Sequence, residues 1–179
     1  MKILALCGSL RKHSRSLALL QATESLANEG LEFSIFEGLG ELPLFNPDNE
    51  HSAPAPVHAL WRAVSWSDAI IVASPEYAHG VTGTIKNALD WLVGYVPFSG
   101  KPVAVFNPSH RAEHADAAIR ETLATMDARL IPGACLRIPA TGCDLSAQEM
   151  ASSPTFAESI LAAISAIRSF PSSQQIGVP

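Results

Sequence analysis

The sequence predicts an α/β domain, a doubly wound sheet of five parallel strands with helices on both faces. Short apolar runs alternate with segments whose apolar residues recur at helical spacing, in the order βαβαβαβαβα and without an internal repeat. The clearest run, Ala69–Ala73, holds no polar residue, as a strand covered on both faces requires. With 179 residues the chain is long enough for one substantial core and too short for two comfortable ones, so residues 1–170 read as a single domain.

Residues 3–7 (Ile-Leu-Ala-Leu-Cys) read as the first buried strand, which stops abruptly at Gly8-Ser9. Apolar residues at helical spacing, Leu17, Leu20 and Ala27 among them, then run through Glu29 until Gly30 ends the pattern. A strand, tight turn and helix in immediate succession suit an anion. The helix start offers unpaired N–H groups and the positive end of its dipole. Ser9, Ser14 and Ser16 bring hydroxyls that donate to oxygen, and Arg11 brings a guanidinium that takes two phosphate oxygens together. The spacing matches neither Gly-x-x-x-x-Gly-Lys-Ser/Thr nor Gly-x-Gly-x-x-Gly, so a monophosphate fits better than a triphosphate or a pyrophosphate. A serine-capped turn with Arg11, Lys12 and Arg15 facing solvent is the competing reading.

Residues 31–36 alternate as a second strand, and residues 37–56 form a Pro-, Gly- and Asn-rich loop long enough to be a lid or a contact surface. Residues 57–67 read as a helix with Leu60, Trp61 and Val64 on one face, and the strand Ala69–Ala73 follows. The loop Ser74-Pro75-Glu76-Tyr77-Ala78-His79-Gly80 leads to a helix carrying Lys86, Asn87, Leu89 and Trp91. Tyr77 and Trp91 suit either stacking on an aromatic ligand or packing. Residues 103–107 read as a further buried strand with the loop Pro108-Ser109-His110-Arg111 after it. Residues 115–126 read as a helix, 130–138 as a last strand broken by Pro132-Gly133, 156–170 as a last helix, and 171–179 as a loose tail. In this architecture the ligand lies beyond the carboxyl ends of the strands, so the loops at 8–16, 74–79 and 107–111 are expected to converge.

A formal charge of −5 without a basic stripe points away from nucleic acid and toward a small ligand. Cys7, Cys135 and Cys143 form no paired framework; Cys7 and Cys135 read as buried apolar residues, Cys143 as exposed and oxidisable, and the set suits a reducing cytoplasm. His51 and His58 show no metal-ligand spacing. The apolar start of the chain stops too early for a secretory signal, and no run approaches the roughly 20 apolar residues of a membrane span, so a cytoplasmic protein is expected.

Several motifs in one order resemble those of the NADPH-dependent FMN reductase family, flavodoxin-like quinone, azo-dye and chromate reductases. Gly8-Ser9-Leu10-Arg11-Lys12-His13-Ser14 is similar to its Gly-Ser-x-Arg-x-x-Ser phosphate loop. Leu42-Pro43-Leu44-Phe45-Asn46-Pro47-Asp48 resembles its loop after the second strand. Pro75-Glu76-Tyr77 and Lys86-Asn87-Ala88-Leu89-Asp90-Trp91 resemble its Pro-Glu-Tyr-Asn segment and Lys-Asn-x-x-Asp-Trp helix.

The resemblance implies a flavodoxin-like FMN-binding domain that uses NADPH or NADH. Ser9, Leu10, Arg11, Ser14 and Ser16 would serve the FMN phosphate, Pro75, Glu76, Tyr77 and Ala78 one side of the isoalloxazine ring, and Ser109 and His110 the other. It also implies a homodimer or homotetramer, with Glu76, Tyr77 and Trp91 near the neighbouring subunit. Three departures are present: Ser16 and Ala78 stand where the family usually has asparagine, and the third loop lacks its paired glycines.

The implied reaction is hydride transfer from NAD(P)H through FMN to a small-molecule electron acceptor such as a quinone, azo compound, free flavin or metal oxyanion. No catalytic acid or base is assigned; His79 and His110 lie near the implied ring, where loop histidines are more often solvated or structural. A flavodoxin-like electron carrier is the alternative, and Arg11 with the mild charge favours the reductase. A hydrolase built on Ser9 ranks third, for want of a Gly-x-Ser-x-Gly elbow.

Overall fold

The computed structural model describes residues 1–27, 30–140 and 145–171. Along the chain run β1 (Lys2–Cys7), α1 (Arg15–Leu26), β2 (Glu32–Phe36), α2 (Ala55–Trp66), β3 (Ala69–Ala73), β4 (Glu76–Tyr77), β5 (Gly80–Val81) and α3 (Gly83–Asp90). There follow β6 (Pro102–Asn107), α4 (Glu113–Thr125), β7 (Arg129–Leu130), β8 (Leu136–Arg137), α5 (Ala147–Ser152) and α6 (Pro154–Ser169).

The main sheet is parallel, in the order β2-β1-β3-β6-β7, with β8 also paired to β6. The expected last strand is therefore split. Pro132 lacks the N–H that a continuous ladder needs, and a short 3₁₀ turn at Pro132–Ala134 separates β7 from β8. The two pieces together fill the fifth strand position, and the doubly wound α/β fold stands as the sequence predicts.

Alternation along the strands builds two cores. Ile3, Ala5, Ile71 and Phe106 face α1, α5 and α6, while Leu4, Leu6, Ile70, Val72 and Val105 face α2, α3 and α4. All five residues of β3 are at most 1% exposed, which a central strand covered on both faces demands.

Three elements depart from the sequence reading. Residues 74–81 contain an antiparallel hairpin, β4 with β5, joined by Ala78 and His79 in left-handed conformation. The helix α5 stands on a capping box, Ser146 with Glu149. The loop at 37–56 is no lid: the Asn87 side chain accepts from the Phe45 N–H at 2.8 Å and donates to Pro43 O at 3.0 Å, and Trp91 Nε1 donates to Pro43 O at 2.8 Å. Phe45 also meets Trp91 edge to face. The loop is thus clamped to α3, with Leu39 and Leu42 buried beneath it.

Cys7 is buried, and Cys135 is half-buried with its sulfur accepting the Val105 N–H. Cys143, the Glu29 end of the first helical pattern and the tail beyond Pro171 lie outside the described residues. Among the described residues no helix is long and apolar enough to cross a membrane.

Candidate functional site

The chain runs from β1 outward to β2 and then back to β3 on the other side of β1, so winding reverses between β1 and β3. Loops leaving their carboxyl ends diverge there and open a crevice. Gly8 fixes the close approach: its N–H donates to Ala73 O at 2.7 Å, and a Cβ on it would stand 2.6 Å from Ile85 Cγ1 and Ser74 Oγ. No side chain fits.

The three loops do converge. One cleft of ≈ 190 Å³ is lined by Ser9, Arg11, Ser14, Arg15 and Ser16 from the first loop, Pro75, Glu76 and Tyr77 from the second, and Pro108, Ser109, Arg111 and Ala112 from the third. Three guanidinium-bearing residues and one carboxylate face this space, an electrostatic balance that suits an anion. It falls below the about 300–1,000 Å³ of closed ligand pockets, as expected of a groove open along one side.

Its floor is built for a phosphate. Ser14 caps α1, its Oγ accepting from the Leu17 N–H at 3.3 Å, which leaves its own proton to donate. Ser9 Oγ likewise accepts from the Arg11 N–H, at 3.4 Å. Ser16 is 1% exposed, and its Oγ has no hydrogen-bond partner among the described residues. A buried hydroxyl left in that state costs about 1–3 kcal/mol, and a ligand oxygen in the cleft would satisfy it. The Ser14 cap takes the Leu17 N–H of the first turn of α1, and the positive end of the helix dipole lies at the same turn. The donor set therefore fits a phosphate monoester.

The second loop is held from below. Glu76 Oε2 accepts from the Ala115 N–H at 2.8 Å, capping the first turn of α4, and Oε1 lies 3.0 Å from His79 Nδ1. The Ala115 hydrogen bond, together with the His79 bond and the charges of His114 and His79, outweighs partial burial and holds the Glu76 carboxyl below its usual range. Its side chain is a tether between hairpin and helix. The third loop is organised by buried Asn107, whose amide accepts from the Ser109 N–H and donates to Ala112 O, both at 3.0 Å.

Of the expected site residues, Ser9, Arg11, Ser14, Ser16, Pro75, Glu76, Tyr77 and Ser109 line this cleft. Leu10, Ala78 and His110 do not: Leu10 is 65% exposed and faces Gly40, and Ala78 and His110 are exposed on loop crests. Trp91, expected near a neighbouring subunit or a ligand, is only 2% exposed and packed within the chain. Arg15, Arg111, Pro108 and Ala112 complete the lining without having been assigned from the sequence. Arg15 read as a solvent-facing cation, yet its Nη1 donates to Ala140 O at 2.9 Å, which a local pattern cannot reveal.

The sequence pattern of the NADPH-dependent FMN reductases matches residues 1–141. The chain belongs to this family. It is 38% identical to a quinone reductase of Pseudomonas putida over 141 residues, 74% of this chain and 72% of that one. It is 32% identical to a quinone reductase of Escherichia coli over 109 residues, 59% of this chain and 58% of that one. The fold matches FerB, a flavoenzyme NAD(P)H:(acceptor) oxidoreductase from Paracoccus denitrificans, with a TM-score of 0.76 at 28% identity, over 93% of this chain and 94% of that one. Membership supports the enzyme over the electron carrier.

Proposed function

We propose that this FMN reductase family member transfers electrons from NAD(P)H to small acceptors, quinones first among them. The observation that carries this reading is the buried Ser16 hydroxyl, without a partner among the described residues, in a three-loop cleft of a chain from an FMN-dependent family. Quinones are preferred because the quinone reductases of Pseudomonas putida and Escherichia coli are among its relatives.

Bound FMN would supply the redox chemistry, accepting a hydride and releasing electrons to the acceptor. The chain's own residues supply the binding and the shape. Ser9, Ser14, Ser16 and Arg11 hold the phosphate through charge-assisted hydrogen bonds worth about 1.5–3 kcal/mol each. Pro75 and Tyr77 would flank the ring on one side and Ser109 on the other, while Glu76 keeps the second loop seated on α4. Tyr77, at 52% exposure, leaves the rim open to acceptors of different shapes. We further propose one FMN-binding domain over residues 1–170, a homodimer or homotetramer, and a cytoplasmic setting; NADPH and NADH are both donors on this reading.

The deciding experiment is the visible spectrum of the protein after incubation with FMN and desalting. Flavin bands that survive desalting in the parent and vanish in Arg11→Ala support the assignment, and NAD(P)H oxidation with a quinone then follows. A parent protein that stays colourless overturns it.

A further inference from the structure

At the rim of the cleft the hairpin turn is built from residues poorly suited to it. A two-residue turn of this kind needs positive φ at both central positions and favours Asn-Gly, yet here Ala78 has φ +49° and His79 φ +58°. Left-handed backbone costs a non-glycine residue about 1–2 kcal/mol, and such cost persists where surrounding contacts hold it.

The contacts that hold His79 form a chain of titratable groups. Its Nδ1 lies 3.0 Å from Glu76 Oε1, and its ring meets the His114 ring edge to face, with centroids 4.6 Å apart. Glu76 comes from the hairpin and His114 from α4, the elements packed together here, and both meet the His79 ring directly. Because the Ala115 N–H keeps the Glu76 carboxylate ionised, Glu76 can only accept, so Nδ1 carries the proton of this bond. The bond to Glu76 engages Nδ1 and not Nε2. His79 is 78% exposed and stands outside the cleft lining, two residues beyond Tyr77, which is part of it.

The geometry points to His79 as the proton donor for the acceptor, with Glu76 and His114 as its positioning residues. The inference rests on the quinone-reductase reading. A quinone becomes a hydroquinone by gaining a hydride equivalent, which NAD(P)H supplies, and one further proton. The Nε2–H bond of protonated His79 breaks as an O–H bond forms on the reduced quinone, and the imidazole then recovers a proton from water. Glu76 fixes the tautomer and ring plane from one side, His114 from the other.

The test uses the FMN-loaded enzyme with 1,4-benzoquinone and, separately, ferricyanide, which takes electrons without protons. His79→Asn keeps a side chain that tolerates positive φ. It is expected to slow benzoquinone reduction by about tenfold or more, the low side of general acid catalysis, while ferricyanide reduction changes less than about twofold. Imidazole in solution restores the benzoquinone rate of His79→Gly.

A readout independent of turnover comes from nitrogen NMR of the histidines in flavin-free protein, where neutral His79 is expected as the Nδ1–H tautomer and Glu76→Gln removes that preference. Equal slowing with both acceptors, unchanged benzoquinone reduction in His79→Asn, or an Nε2–H tautomer overturns the relay alone. A parent enzyme that retains no flavin and reduces neither acceptor overturns the reductase reading and the relay with it.

Discussion

At Ser16 the same hydroxyl acts in opposite directions in the two states of the protein. Without ligand, a group 1% exposed and lacking a partner among the described residues has given up water for nothing. With a phosphate oxygen in the cleft it becomes a charge-assisted donor. Ser16→Ala is therefore expected to raise the stability of flavin-free protein by about 1 kcal/mol while weakening FMN binding by about tenfold or more. Denaturant unfolding of the flavin-free form and titration of flavin fluorescence read the two effects separately. A serine with a merely structural role would lower stability and leave affinity alone.

Elements in this fold are joined by single side chains whose effects reach two structures at once. The β4–β5 turn carries left-handed backbone at Ala78. Asparagine tolerates that region, so Ala78→Asn is expected to stabilise the protein by about 0.5–1 kcal/mol in thermal unfolding. The helix α4 is tied to β8 through Asp116, which accepts from Arg120 Nε at 2.6 Å and from Arg137 Nη2 at 3.0 Å. Burial pushes the Asp116 carboxyl up, but both arginines outweigh it and hold the group below its ordinary value. A depressed native value means that the unfolded chain binds the proton more readily. The pair thus contributes fully above the ordinary aspartate range and loses its contribution as pH falls through the native value. Asp116→Asn is expected to cost about 2 kcal/mol near neutrality, with the difference from the parent shrinking toward strongly acidic pH; equilibrium unfolding across pH reads this directly.

For the whole molecule, cofactor and fold are linked by mass action. The cleft is assembled by three loops that the sheet brings together, so a ligand bound there requires β1, β3 and β6 to be in register. FMN at a hundredfold excess over its dissociation constant is expected to add about 2.7 kcal/mol of stability. A scanning-calorimetry midpoint that rises with FMN concentration in the parent, and stays fixed in Arg11→Ala, is the outcome to look for.

Much of this was legible along the chain because it is local physics. Five apolar runs separated by helical periodicity dictate a parallel sheet buried on both faces, and Gly8 through Ser16 present donors that only an anion satisfies together. The Ser146-x-x-Glu149 box of α5 is equally local, but its helix is short and its apolar run weak, so periodicity does not mark it. Tertiary structure decided what depends on partners distant in sequence. Trp91 reads as either a stacking or a packing ring until Pro43 and Phe45 fold over it and settle on packing. The tether made by the Glu76 carboxylate depends on Ala115, 39 residues away, and no local pattern shows it. His79 reads as a solvated loop histidine until the turn places it between Glu76 and His114. Periodicity and turn chemistry are written within a few residues of each other, whereas the partner of a side chain is set by strand order, which brings together groups the sequence keeps apart.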